Sequence, residues 1–263
     1  MKQNNLNTVK TIFAVLAFVA VNAAAQNVST GPNKVYLEQI GGDNTITVEQ
    51  VGGTNNVGGT GGNVSVSQTG ITTLTPDAPS DTNYATVKGS SNQVTITQTG
   101  DNNSAQYNIK GSNNAYTSTI AGSNNQTKLT IGNSTTNGLR NTVTETVTGN
   151  NNMLIQNVVG NDNVSTNTIT GNNNQVTSTQ TTSNATISNT VNTGNNNVFN
   201  FQQTDAGTHA LTVDTNGDYN SITTQQQGSN NTTVDIKTNG SNNTVTVRSS
   251  SSTIASPVSA IAR

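Results

Sequence analysis

The sequence predicts an all-β chain wound into a β-solenoid of strand–arch–strand coils, about 22 residues per coil and about nine coils, stacked as cross-β. Three observations predict it. The first is a fixed period: residues 33–53 read NKVYLEQIGGDNTITVEQVGG, and NKVYLEQIGGD lies over NTITVEQVGGT without a gap, Asn33 on Asn44 and Gln39 on Gln50. The second is strict polar/apolar alternation inside each phrase, which marks a strand with one buried face. The third is composition: 46 Asn and 48 Thr make up more than a third of the 263 residues, with 8% charged and 29% hydrophobic. Globular domains carry roughly 45–50% apolar residues, so an ordinary oily core is excluded. Disordered segments usually stay solvated through net charge, which this chain lacks. Low charge, abundant amides and a Val/Ile/Thr strand set describe chains that stack into cross-β.

Residues 1–25 read as a secretory leader. Two lysines precede TIFAVLAFVAVNAAA, an apolar run that ends in small residues and is shorter than the roughly 20 residues a membrane-spanning helix needs. The chain that remains begins near Gln26, with a short segment at 26–32, and carries eight Lys and Arg against twelve Asp and Glu. That balance is too weak and scattered to draw nucleic acid or an anionic membrane as partner. Cysteine is absent, which excludes disulfides, thiolate metal sites and cysteine nucleophiles.

The repeats run from 33 to 248. Parity places Asn33, Val35, Leu37 and Gln39 on the inward face of the first phrase. Asn44, Ile46, Val48 and Gln50 do the same in the second, and Thr45, Thr47 and Glu49 face water. GGTNNVGGTGG (52–62) is too rich in Gly to make a good strand, and 71–82, with Pro76 and Pro79, reads as a loop excursion between coils. The pattern returns with Asn92, Val94, Ile96 and Gln98 inward.

From there the phrase Gly-x-x-Asn sets the arches. Gly100, Gly111 and Gly122 lead to Asn103, Asn114 and Asn125; Gly138, Gly149, Gly160 and Gly171 lead to Asn141, Asn152, Asn163 and Asn174. Glycine supplies the positive φ of a tight arc, and Asn tolerates left-handed backbone. Around 183–194 the parity shifts, bringing Ile187 and Val191 inward.

Successive strands could form an antiparallel meander, or arch over to face one another so that every second strand stacks. The later phrases favour the coil. Asn174–Gln180, Asn197–Gln203 and Asn220–Gln226 are variants of one phrase, with Phe199, Phe201 and Ile222 inward; Asn243 opens the last. Gln180, Gln203 and Gln226 would then form one ladder, each amide donating and accepting along the axis. The Ser-rich segment 249–263 reads as a flexible tail or an end cap.

This pattern resembles the curlin repeat of the curli major subunit family: Ser or Asn, alternating aliphatics, Gln-x-Gly-x-x-Asn, then a second Gln. NKVYLEQIGGDNTITVEQ matches through both half-repeats, and NQVTITQTGDNNSAQYNI matches except for Ile109 in place of the second Gln. Later units keep Gly-x-x-Asn but carry Val147, Val158 and Ile169 where Gln belongs. The resemblance implies a secreted subunit of an extracellular amyloid fibre of biofilm matrix. Its partners would be further copies of itself, a minor nucleator subunit and a dedicated outer-membrane pore.

No catalytic, cofactor or metal site is expected. His209 is the sole histidine and is read as solvent-facing or stacked. GGTGGN lacks the Lys-Ser/Thr of a phosphate loop. Asp43, Asp101, Asp162 and Asp218 sit in turns, where charge acts as a gatekeeper against uncontrolled stacking; the nine-residue phrase of calcium-binding solenoids is absent. The rival reading is a monomeric solenoid, either a surface adhesin or an ice-binding protein that displays T-x-T rows such as Thr45/Thr47, Thr95/Thr97 and Thr142/Thr144. Such a face needs T-x-T on the same strand of nearly every coil, and TSTIAG, MLIQNVV and FNFQQ break the array.

Overall fold

A computed structural model describes residues 22–28, 33–35, 37–58, 85–133, 135–181, 183–192, 194–205, 208–228, 231–250 and 257–262. Among these residues every regular element is a β-strand. Alternate strands of the sequence go to opposite sheets, and all pairing within each sheet is parallel. The expected excursion at 71–82, and residues 59–62 at the end of the Gly-rich stretch, lie outside the described residues.

The first sheet holds, in order, β1 (Asn22–Val28), β4 (Thr45–Val51), β7 (Gln93–Thr99), β9 (Ala115–Ala121), β12 (Thr142–Thr148), β14 (Val164–Thr170), β16 (Thr186–Asn192), β18 (His209–Asn216), β20 (Thr232–Asn239) and β22 (Pro257–Ala262). The second sheet runs β2 (Lys34–Val35), β5 (Asn56–Val57), β8 (Ser104–Ser112), β10 (Gln126–Ile131), β13 (Met153–Val159), β15 (Gln175–Thr181), β17 (Val198–Thr204), β19 (Ser221–Gln227) and β21 (Thr244–Ser250). Beside this path β3 (Leu37–Ile40) pairs with β6 (Ala85–Lys88), and β11 (Gly138–Leu139) pairs with β8.

The sandwich follows from strand parity. Side chains alternate across a strand, and the second residue of each phrase onward alternates exposed and buried: β7 reads exposed at Gln93, Thr95 and Thr99 and buried at Val94, Ile96 and Gln98. Stacking is one-to-one, with Thr142 opposite Val164 and Met153 opposite Gln175. Ladder partners on successive coils are 22 or 23 residues apart, 27 at one coil, and 48 across the excursion. The longer coil carries its extra residues after Ile131, where the Asn133 side chain accepts from the backbone N–H of Thr135 and Thr136 at 2.9 and 2.7 Å and folds them into a compact turn.

The core is thin and mixed. Ile96, Ile109, Leu129, Leu154, Ile169 and Ile187 are fully buried, with two aromatic pairs among them. Tyr107 and Tyr116 meet edge to face across the sandwich at 5.8 Å, and Phe199 and Phe201 lie 6.0 Å apart on one strand. Ile187 takes the inward register as parity requires; Val191 is placed by its backbone pairing with Ile169 and Thr215.

The C-terminal segment, expected as a flexible tail or an end cap, contains β22, which pairs with β20 and extends the first sheet by a rung. β1 spans the expected leader boundary after Ala25 and pairs with β4 from Asn22 to Val28. One detail departs from the sequence reading. Gly138 does not adopt positive φ, although Gly100, Gly111, Gly122, Gly149, Gly160 and Gly171 all do. The inserted turn brings the chain into that arch from another direction, and Gly138 is needed there for space: a Cβ would meet Ile131 Cγ2 at 2.5 Å.

Candidate assembly interface

Most arches share one backbone course, in which the Gly has φ between 105° and 137°, as in Gly122 (122°) and Gly149 (121°); Gly138 and Gly194 are the exceptions. The αL position then falls on the residue before the ladder Asn: Asn102, Asn113, Asn124, Arg140, Asn151, Asp162 and Asn173, all with φ between 55° and 59°. Left-handed geometry thus belongs to the third residue of Gly-x-x-Asn, and the fourth turns inward. Asn at the third place suits αL backbone; Arg140 and Asp162 occupy it in adjacent coils and pair at 2.7 Å.

The inward Asn residues form continuous ladders. In Asn125, the backbone N–H and Nδ2 both donate to Asn103 Oδ1 at 3.1 Å, and Nδ2 also donates to the Gly149 carbonyl at 2.7 Å. Its own Oδ1 accepts from the N–H and Nδ2 of Asn152. One side chain therefore ties three coils, and its buried amide is satisfied by the repeat itself. One ladder runs Asn33, Asn55, Asn103, Asn125, Asn152, Asn174, Asn197, Asn220 and Asn243. The other runs Asn44, Asn92, Asn114, Asn141 and Asn163, then ends by accepting from Ala185 N–H, where Ala replaces Asn.

A second ladder on the arch surface runs the opposite way. Backbone N–H groups of Ser123, Asn150, Asn172 and Asn195 donate to the side chains of Asn150, Asn172, Asn195 and Asp218 one coil on, at 2.7–2.9 Å. Asp218 thus acts as a ladder acceptor, as does Asp101, whose Oδ1 accepts from Gly53 N–H at 2.7 Å. Asp43 and Asp162 sit in αL backbone instead. Among the described residues no group of three or more His, Asp or Glu comes together.

The glutamines form shorter ladders. Gln50 donates to Gln98 at 2.7 Å, and Gln180, Gln203 and Gln226 form the second set, with Gln203 donating to Gln226 at 2.8 Å. Gln203 Nε2 also reaches the Thr186 carbonyl across the sandwich at 3.0 Å. Where an aliphatic takes the place of Gln the ladder stops: Val158 lies in register below Gln180, and Gln180 Oε1 has no hydrogen-bond partner. His209 is fully buried and stacked in line, its Nδ1 2.6 Å from Thr232 Oγ1 and its Nε2 3.0 Å from the Thr204 carbonyl.

The inward positions also include an acid. Glu145, on β12, is fully buried; Tyr116 donates to its Oε2 at 2.7 Å and Gln156 to its Oε1 at 2.9 Å. Ser165 donates in turn to Gln156 Oε1 at 2.5 Å. Burial pushes the carboxyl up to about 7, against the opposing pull of Tyr116, Ser118, Gln156 and Thr127. Burial, and then the Glu145 charge, raise the Tyr116 phenol well above its ordinary value.

The expected ladder residues are thus inward along the stack, and the ends differ from the middle. Asn33, Val35, Leu37 and Gln39 are half-buried in the edge strands β2 and β3. Both amide atoms of Gln39 are shielded from water and lack a hydrogen-bond partner. At the other end Asn243 is half-buried, and Nδ2 of both Asn220 and Asn243 is orphaned. Asn55 and Asn92 complete the ladders, each three residues after a Gly, Gly52 and Gly89; Asn55 lies in the Gly-rich stretch that reads poorly as a strand. Comparison of the chain with known protein families, curated proteins and solved structures finds no match.

Proposed function

We propose that the protein is the structural subunit of an extracellular fibre of the curli type, which grows by stacking copy on copy and serves adhesion and biofilm matrix. The observation that carries this reading is the state of the two ends. The ladder repeats one operation, in which each Asn Oδ1 accepts from the backbone N–H of the next rung. Among the described residues no further ladder Asn follows Asn243, whose Nδ2 lacks a partner, and at Gln39 a buried amide has none. A second copy set head to tail would bring Asn33 to Asn243, and would bring the Ser249 hydroxyl, which stands at the Gln position of the last rung, to Gln39. Unpaired parallel edges of this kind are templates for further pairing.

Removal of the leader at Ala25 would take four of the seven residues of β1. Both sheets would then present nine rungs along their main paths, with β4 to β22 in one and β2 to β21 in the other, β2 and β5 being two residues each. The ends would be flush, and stacking would continue both sheets together. Export as an unfolded chain through an outer-membrane pore, and seeding by a minor nucleator subunit, follow from the curlin resemblance and belong to the same proposal.

The test is direct. Purified residues 26–263 should show a lag and then form fibres with diffraction spacings of about 4.7 and 10 Å, along and across the sheets. A chain that is folded yet stays monomeric by light scattering for days, at concentrations on the order of tens of micromolar, would refute the proposal.

A further inference from the structure

Read in chain order, the outward threonines form no continuous array. The topology changes this, because MLIQNVV and FNFQQ belong to β13 and β17 of the second sheet and leave the first sheet uninterrupted. TSTIAG does not break the row either: in β9 Ser118 is the buried residue, and Thr117 and Thr119 are both exposed. In register across the first sheet lie Thr95, Thr117, Thr144 and Thr166, and beside them Thr97, Thr119, Thr146 and Thr168. All eight are exposed or half-buried. The backbone register continues both columns to Ser188 and Thr190.

The second sheet shows that this is more than composition. Its corresponding outward columns over β8, β10, β13, β15 and β17 read Gln106, Lys128, Ile155, Thr177 and Asn200, and Asn108, Thr130, Asn157, Thr179 and Gln202. One flank is a uniform hydroxyl–methyl grid and the other is heterogeneous. The grid repeats at about 4.7–4.9 Å along the stack and about 6.4–6.8 Å along each strand, twice the rise per residue.

Charge is confined to the ends of the grid. Glu49 is in register with Thr97 at one end, and Asp214, Asp235 and Lys237 lie at the other, where Lys237 approaches Asp214 at 3.9 Å. Between them the columns carry no charged and no aromatic side chain. A polyanion, a mineral or an anionic lipid surface would need charge, and a sugar ring would be gripped by aromatic stacking. The partner that suits this face is neutral and periodic, and hydrogen-bonds everywhere at short spacing. Ordered water meets each of these terms.

The geometry points to an ice-binding face on the outer side of the first sheet, centred on Thr117, Thr119, Thr144 and Thr146. Hydroxyls held at fixed spacing place a first layer of water, the methyl groups between them limit its disorder, and the backbone ladders beneath keep the grid rigid. The face is present in one copy of the chain, so the inference does not depend on polymerisation; a fibre would lengthen it.

The test uses the full chain, freshly purified as monomer, with ice as the probe. The wild-type protein should be enriched in slowly grown ice and should slow recrystallisation. Thr144→Lys and Thr119→Lys each raise a long charged side chain on the grid and should weaken both effects by about tenfold or more. Thr179→Lys, on the opposite flank, should leave them unchanged, since Lys128 already stands on that face. Circular dichroism checks folding; if a lysine variant unfolds, Thr144→Ser, which keeps the hydroxyl and loses the methyl, should still weaken ice retention. Exclusion of the wild type from ice, or equal behaviour of Thr144→Lys and Thr179→Lys, overturns the inference whether or not fibres form.

Discussion

Replacement of Glu145 by Gln separates the buried acid from everything else in the core. Its folded value is pushed up to about 7 from 4.5, chiefly by burial. Among the described residues no cation offsets this: the groups around it are Tyr116 and Ser118 from β9, Thr127 from β10 and Gln156 from β13. The folded state therefore holds its proton over a range in which the unfolded chain has released it. The stabilisation is fully present below pH 4.5, falls as pH rises, and is lost above about 7. At about 1.4 kcal/mol per unit the swing is on the order of 3 kcal/mol, a large share of a stability that for a domain is about 5–15 kcal/mol. Dilute monomer should be unfolded with denaturant at pH 5 and pH 8, for wild type and for Glu145→Gln. Other carboxylates titrate in both proteins, so the difference between them isolates this site. The variant should lose less stability than wild type across that interval. Folding, and any assembly that follows it, should then tolerate neutral and alkaline conditions better in the variant. Equal losses would mean that Glu145 is hydrated or paired in the folded chain, and the account of its burial would fail.

The glutamine ladder makes a paired test: Gln203→Ala leaves Gln180 and Gln226 short of a partner and should cost about 1–3 kcal/mol, whereas Gln202→Ala, on the exposed side of the same strand, should change the denaturation midpoint little. At the arches, Gly149→Val forces a β-branched residue to φ 121° and sets its Cβ 1.9 Å from the Gly171 carbonyl oxygen. Seeded elongation should slow far more than for Thr177→Val, since each added subunit repeats the defect; similar rates would deny the arch its role. Asn125→Ala removes a side chain that joins three coils and should destabilise more than Asn150→Ala, whose ladder is exposed to water. Hydrogen exchange at the backbone N–H of Asn152, which loses its Asn125 acceptor, would report the difference.

Much of this was legible in the chain because its causes are local. A period of two sends Val94, Ile96 and Gln98 to one side of a strand whatever the rest of the molecule does, and Gly-x-x-Asn turns the chain at a fixed interval. Spacing alone therefore places Asn103, Asn125 and Asn152 inward, and Gln203 with them. Parity also places Glu145 inward, since it follows Val143 by two; a carboxylate is ordinarily expected in water, and only Tyr116 and Gln156, brought from other coils, make its burial tolerable. Tertiary structure decided what depends on which strands become neighbours. The left-handed residue of the arch was misplaced by one, because backbone closure between coils, not the preference of Asn, selects the third position. Gly138 escaped positive φ because an inserted turn changes the approach to its arch. The threonine grid is the largest such case: pairs that are scattered in sequence stand in straight columns because coiling sends alternate strands to opposite faces. Parity is set within a strand, but continuity along the axis exists only between coils.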